Sequence, residues 1–319
     1  LTNSDSDVVL KSGLMLFRIE DLWNDTRANA NIISILQGYS DPRLERWFAT
    51  NNADIYSTDD ELSPVVEKAT KYLGVRQGVP MTRTEYQGYS KTSRVGIPEQ
   101  GPRPVLRVAE AYFLRAEGML RNWNMGDGTP ESLYNEGIHS AWASVLGDES
   151  GWAGTYESYI NGFINTEEGG DFDWELFEGG FGSAPYINYR NQEYNYYIEE
   201  NGKQVGINRI SVRWHDEDSP EKKLQRIITQ KWISFFPTLS SVAWTEYRRT
   251  GYPKLIPIPS DLNYSNGAID TELQIRRLPF TQSEYRGNTE EVNKALGLLK
   301  GPDNGGTRLW WDVDKGNFE

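Results

Sequence analysis

The stretch "KWISFFPTLSSVAWTEYRRTGYPKLIPI", Lys231 to Ile258, decides how the whole chain is read. It sets Trp232, Trp244, Tyr247 and Tyr252 around the adjacent Arg248 and Arg249. As a ligand wall, these rings would stand open with the guanidinium groups reaching outward. As a structural clasp, the rings would enter the core and the arginines would pair with carboxylates. The local periodicity supports two helices here. "PEKKLQRIITQKWISFF" places Leu224, Ile227, Ile228, Trp232 and Phe235 on one face, and "LSSVAWTEYRRTG" does so with Ala243, Trp244 and Tyr247. Gly251 followed by Pro253 stops the second.

Working outward, "PVLRVAEAYFLRAEGMLRNW" at 104–123 carries Val105, Val108, Ala109, Tyr112, Ala116, Met119 and Leu120 at helical spacing, with Pro104 in its first turn. "PESLYNEGIHSAWASVLG" follows, with Tyr134, Ile138, Ala141, Trp142 and Val145 on one face. The pair predicts a helical hairpin over 104–147. Small residues Ala109, Ala116 and Ala141 at its seam point to a tetratricopeptide-like repeat, which needs partner helices to cover its outer face. "NWNMGDGTPESL" between them misses the spacing of a calcium loop and reads as a repeat turn. Further helices are expected near "VVLKSGLMLFRIEDLW" and "NTEEVNKALGLL". Within the first hairpin helix, Glu117–Arg121 and Arg107–Glu110 have the spacing of helix ion pairs.

Two stretches lack helical period. Residues 72–103 are strewn with turn residues, and residues 148–213 are rich in Gly, Asn and Tyr. Long segments of this kind usually carry function. The first holds Tyr72, Tyr86 and Tyr89 among Arg76, Arg83 and Arg94; the second holds Trp152, Tyr156, Tyr159 and Trp174.

Composition narrows the function classes. Charged residues make up 25% and hydrophobic residues 37%, which is globular rather than disordered. The net charge of -13 disfavours nucleic acid and anionic lipid as partners. With 0 cysteines there is neither disulfide framework nor thiolate chemistry. The 11 Trp and 18 Tyr exceed what a core requires, and such rings suit wet, semi-open surfaces.

Catalysis has one foothold. Asp171, Asp173 and Glu175 in "DFDWELFE" would share a strand face, and glycosidases use two carboxylates about 5–10 Å apart. The alternative is an acidic, solvated loop. His139 and His215 are the only histidines, and His139 sits beside the core face of its helix. Loop aromatics carry the stronger signal. Sugars have apolar C–H faces and polar edges, so flat rings with Arg or Asn nearby make a sugar pocket. The candidate ligand-binding residues are Tyr72, Arg83, Tyr86, Tyr89, Trp152 and Trp174, each of which could alternatively pin its loop to the helices.

"QRIITQKWISFFPTLSSVAWTEYRRTGYPKL" closely resembles the SusD/RagB family of surface glycan-binding lipoproteins. "SDPRLERWF" at 40–48, "YLGVRQG" at 72–78, "LRVAEAYFLRAEGMLR" with "LYNEGIHSAW", "IRRLPFTQSEYRGNTEEVNKAL" and the terminal "TRLWWD" resemble further family segments, in order. The resemblance implies a mostly α fold, tetratricopeptide-like helices with a loop-rich irregular subdomain over 1–319, forming the C-terminal part of a longer protein. It implies non-catalytic capture of oligosaccharide at the outer face of the cell outer membrane. It also implies handover to a SusC-like TonB-dependent transporter, with a lipid anchor on an N-terminal region outside this chain. No cofactor or metal is implied. Because the 231–258 stretch recurs across the family irrespective of ligand, Trp232, Trp244, Arg248, Arg249 and Tyr252 are expected to be buried or paired. Peptide or protein cargo is a second reading, and glycoside hydrolysis a distant third.

Overall fold

Thr129 and Ser132 cap one another's backbone at the start of a 17-residue helix, and Pro130 supplies its first turn. The computed structural model describes residues 7–10, 26–39, 41–50, scattered positions between 72 and 93, 103–161, 198–200, 203–205, 210–256, 258, 262–313 and 315–318. In chain order these form β1 (Val8–Leu10), α1 (Ala30–Gly38), α2 (Arg43–Trp47), β2 (Arg103–Leu106), α3 (Val108–Leu120), α4 (Pro130–Leu146) and α5 (Ala153–Ile160). They continue with β3 (Ile198–Glu200), β4 (Lys203–Val205), α6 (Pro220–Phe235), α7 (Ser240–Thr250), α8 (Gln282–Gly287) and α9 (Thr289–Leu296).

The expected hairpin is α3 with α4. Ala109, Ala116 and Ala141 are all buried at its seam, and Gly137 lets the helices close. A Cβ on Gly137 would lie 2.6 Å from Phe113 Cε1, so the Phe113 ring occupies the space a side chain would need. Tyr134, Ile138 and Trp142 fall on the buried face of α4, as the spacing predicts. The loop between the helices is closed by Arg115, whose Nε donates to Met125 O at 3.0 Å and Nη2 to Asp127 O at 2.7 Å.

The first turn expected around Pro104 is a strand. β2 pairs antiparallel with β1, Val8 opposite Leu106 and Leu10 opposite Arg103. The helix that was expected to open the chain thus begins as a strand, and residues 11–25 lie outside the described residues. β-Branched residues in both segments favour this pairing, and Val105 is left 49% exposed instead of joining the helix face. β1 also starts α3: Asp7 Oδ1 accepts the Val108 N–H at 2.7 Å, a cap that Arg107 at the N-cap position does not supply.

α6 packs against α3, α4 and α7, and from Arg226 to Phe235 only Trp232 is not fully buried. Besides Leu224, Ile227, Ile228 and Phe235, it buries Arg226, Thr229, Gln230, Lys231 and Ser234. The second hairpin, α6 with α7, ends where Gly251 adopts φ 76° as its C-cap. Stacked on the first, it gives the two-hairpin scaffold of a tetratricopeptide-like fold. The core runs through both, joined by Ile33, Leu36 and Trp47 from α1 and α2.

Residues 148–213 contain more regular structure than their composition indicates. Glu149–Gly151 form a 3-10 turn, α5 follows, and β3 and β4 make a small antiparallel ribbon. Tyr134 Oη then donates to Val212 O at 2.7 Å, and Tyr39 Oη to Ile210 O at 3.1 Å, binding the end of this region to the scaffold.

Candidate functional site

Three of the predicted ligand-binding residues are described, and all three are interior. Tyr72, Tyr89 and Trp152 are 6%, 7% and 6% exposed. Trp152 donates its indole N–H to Gly147 O at 3.1 Å and meets Trp142, Tyr156 and His139 at centroid distances of 5.8, 5.7 and 5.1 Å. Its ring faces offer a ligand almost nothing. Trp152, Tyr156 and Tyr159 form an internal aromatic cluster with Trp142 that holds α5 on α4, which for Trp152 is the pinning alternative. Arg83, Tyr86 and Trp174 lie outside the described residues, as do Asp171, Asp173 and Glu175. His139 is wedged between the Trp152 and Tyr156 rings, with Nε2 3.3 Å from Glu149.

Below this cluster sits a buried polar knot. Arg43 Nε donates to Asp41 Oδ1 at 2.9 Å and Nη2 to Oδ2 at 2.6 Å, with both side chains 0% exposed. Tyr159 Oη donates to Asp41 Oδ2 at 2.8 Å and accepts from Gln230 Nε2 at 2.9 Å. Burial, and then the Asp41 charge, push the Tyr159 phenol far above its ordinary range, so it stays a donor. The knot joins the segment before α2 to α5 and α6, and its work is positional.

The stretch that opened the question resolves into a chain of alternating charge. Glu110 and Glu246 flank Lys231 at 3.8 and 3.3 Å, Glu246 then meets Arg249 at 2.6 Å, and Arg249 grips Glu117, which also holds Arg121 at 3.0 Å. Burial raises the Glu117 carboxyl, but Arg249 and then Arg121 outweigh it and hold the group below its ordinary value. At Glu110, burial dominates and the carboxyl is raised, Lys231 only partly opposing it. The expected Glu117–Arg121 pair is therefore present. The expected Arg107–Glu110 pair is replaced: Arg107 turns to Ser144 at 3.0 Å and Asp7 at 3.8 Å, because Arg107 precedes the helix in extended backbone.

Tyr252 is buried, its hydroxyl donating to Glu221 Oε1 at 2.9 Å, and Arg248 donates to the Arg276 carbonyl. Trp232 and Trp244 are half-buried and line a cavity of about 230 Å³ with Phe235, Pro237, Ala243 and Leu255. Its walls are almost wholly apolar. A sugar there would lose water from its hydroxyls without replacement, so the cavity suits an apolar group. The clasp reading of the Arg residues holds, while the two Trp residues are less enclosed than a clasp implies.

A second aromatic feature went unread except as part of a family segment. Trp310 and Trp311 in "TRLWWD" are 82% and 60% exposed, with ring centroids 5.3 Å apart at 90°.

The sequence profile of the SusD-like family, described as SusD and RagB outer membrane lipoproteins, matches residues 2–159 and 181–312. The chain belongs to the SusD/RagB family. A chitin-binding SusD homologue from Flavobacterium johnsoniae is 34% identical, with a TM-score of 0.70 over 100% of this chain and 56% of that one. SusD homologues from Bacteroides vulgatus and Bacteroides ovatus are each 31% identical, with TM-scores of 0.70, covering 100% and 98% of this chain and 56% and 57% of theirs. The chain thus spans little more than half the length of these SusD homologues. No curated protein matches it. The mostly helical, tetratricopeptide-like architecture is that of the family. Among the described residues no helix is long and apolar enough to cross a membrane.

Proposed function

We propose that this SusD/RagB protein captures oligosaccharide at the outer face of the outer membrane, without cleaving it, and passes it to a SusC-like TonB-dependent transporter. In this reading a lipid anchor on the full-length protein holds it at the membrane. The observation that carries the proposal is 34% identity, along the whole chain, to a homologue named for binding chitin. Chitin-type oligosaccharides are accordingly the first ligand class to test.

Sugar contacts are assigned to Arg83, Tyr86 and Trp174, with Tyr72, Tyr89 and Trp152 fixing the roots of the same two regions. At roughly 0.3 kcal/mol per non-hydrogen atom, a disaccharide reaches at most about 6–7 kcal/mol. With desolvation, Kd falls between about 10 μM and 1 mM, which suits capture followed by release. Calorimetric titration of chitin oligosaccharides, beside plant and host glycans, into the full-length protein tests this. Saturating heat with one glycan class is expected. Heat that persists after each injection would show turnover and overturn the non-catalytic reading. Silence across the panel would turn the search to peptide cargo.

A further inference from the structure

We infer that Trp310 and Trp311 form a second sugar platform, separate from the regions 72–103 and 148–213, for a pyranose of a neutral polysaccharide. The inference rests on the glycan-binding reading above and adds a place on the molecule that the reading does not use.

Adjacent residues in a strand point to opposite sides, but here a turn brings both indoles out together, edge against face. Neither indole N–H makes a hydrogen bond to any described residue. The corner therefore offers two open ring faces at right angles and two unspent donors. That set matches a sugar, which presents a C–H face to a ring and hydroxyl acceptors at its edge. A purely apolar partner would leave both N–H groups buried without acceptors.

The corner is also firmly founded. Asp312 takes Arg276 Nε on Oδ2 at 2.7 Å and Arg308 Nη1 on Oδ1 at 3.2 Å, while its N–H returns to Leu309 O at 2.9 Å. Arg276 in turn donates from its N–H to Gly305 O at 2.7 Å and from Nη2 to Arg248 O at 3.3 Å. The platform is thereby tied to α7, so a sugar docking on it has little backbone to order. Neutral polysaccharide also suits a chain of net charge -13, which would repel an acidic polymer. A polymer long enough to touch both this corner and the loop regions gains by effective concentration.

The test compares the full-length protein with its W310A/W311A and W310F/W311F variants. The probes are insoluble chitin, read by depletion, and soluble chitohexaose, read by calorimetry. The alanine pair is expected to bind chitin about tenfold more weakly, and the phenylalanine pair to retain most of the affinity. Hydroxyl-radical footprinting should show Trp310 and Trp311 protected by chitohexaose. If the wild type binds and the alanine pair binds equally, this inference fails while the glycan reading stands. If the wild type binds neither probe, both fail. A marked fall in Tm for the alanine pair would show the rings packed against protein in the full-length molecule, and would also overturn it.

Discussion

Arg249 and Glu117 stand 132 positions apart in sequence and share two hydrogen bonds, Nη1 to Oε1 at 2.6 Å and Nη2 to Oε2 at 2.7 Å. The planar guanidinium matches both carboxylate oxygens, which fixes the angle between α3 and α7 as well as their separation. Arg249 is itself 39% exposed at the side chain, whereas Glu117 is 7% exposed. Losing the arginine therefore harms the fold chiefly by stranding the buried acid. Arg249→Ala is expected to cost about 2–3 kcal/mol and Arg249→Lys somewhat less, because a lysine cannot reproduce the fork. Urea unfolding of both variants and of Glu117→Gln, as a double-mutant cycle, would measure the coupling. Additive effects would contradict it.

The same pair gives the acid limb a sign. The Glu117 carboxyl lies below its ordinary value when folded, so its contribution is complete above the unfolded value and is lost as pH falls through the folded one. Glu110, raised by burial, acts in the reverse sense: its contribution is present below the unfolded value and lost as pH rises through the folded one. The stability gap between wild type and Glu117→Gln should narrow as pH falls from about 5 toward 3. Unfolding midpoints across that range provide the check, and a gap independent of pH would refute the assignment.

Gly137 and Gly154 should respond oppositely to alanine. Gly137→Ala drives a Cβ into the Phe113 ring, and about 1–3 kcal/mol of stability should be lost. At Gly154, inside α5, a Cβ meets nothing within 4 Å, and alanine should be neutral or add about half a kcal/mol. Thermal unfolding of the two single variants suffices.

Trp152 and Tyr86 separate pinning from binding. Trp152→Ala empties a site in the Trp142–Tyr156 cluster and should lower stability by about 3–5 kcal/mol. On the proposed glycan-contact role, Tyr86→Ala should weaken glycan binding. Measuring both quantities on both variants decides it, since a Trp152→Ala protein of full stability would place that ring outside the core.

The helical hairpin was legible because Tyr134, Ile138 and Trp142 repeat at the period of a helix whatever they pack against. The α6 helix was only half legible. Its apolar face was visible, but nothing local announces that Lys231 and Arg226 are buried with Glu110, Glu246 and Asp218 beside them. Aromatics mislead in a related way. A ring rich in neighbours looks the same in sequence whether it lines a wet cleft or a dry core, and what fixes Tyr159 as interior is Asp41, 118 positions earlier. At Trp310 and Trp311 nothing local distinguishes core from surface, and the turn built on Asp312 turns both rings outward.

The Asp7 cap on Val108 spans 101 positions, and this bears on the order in which the molecule assembles. α3 and α4 meet across a short turn and can zip together early, with little entropy lost in closing the loop. The first turn of α3 must wait for β1 to arrive from far upstream, so it frays while the rest of the hairpin is already sound. Protection of the Val108 amide from exchange would then lag behind that of the Phe113 amide, making this single N–H a clock for the last stage of folding.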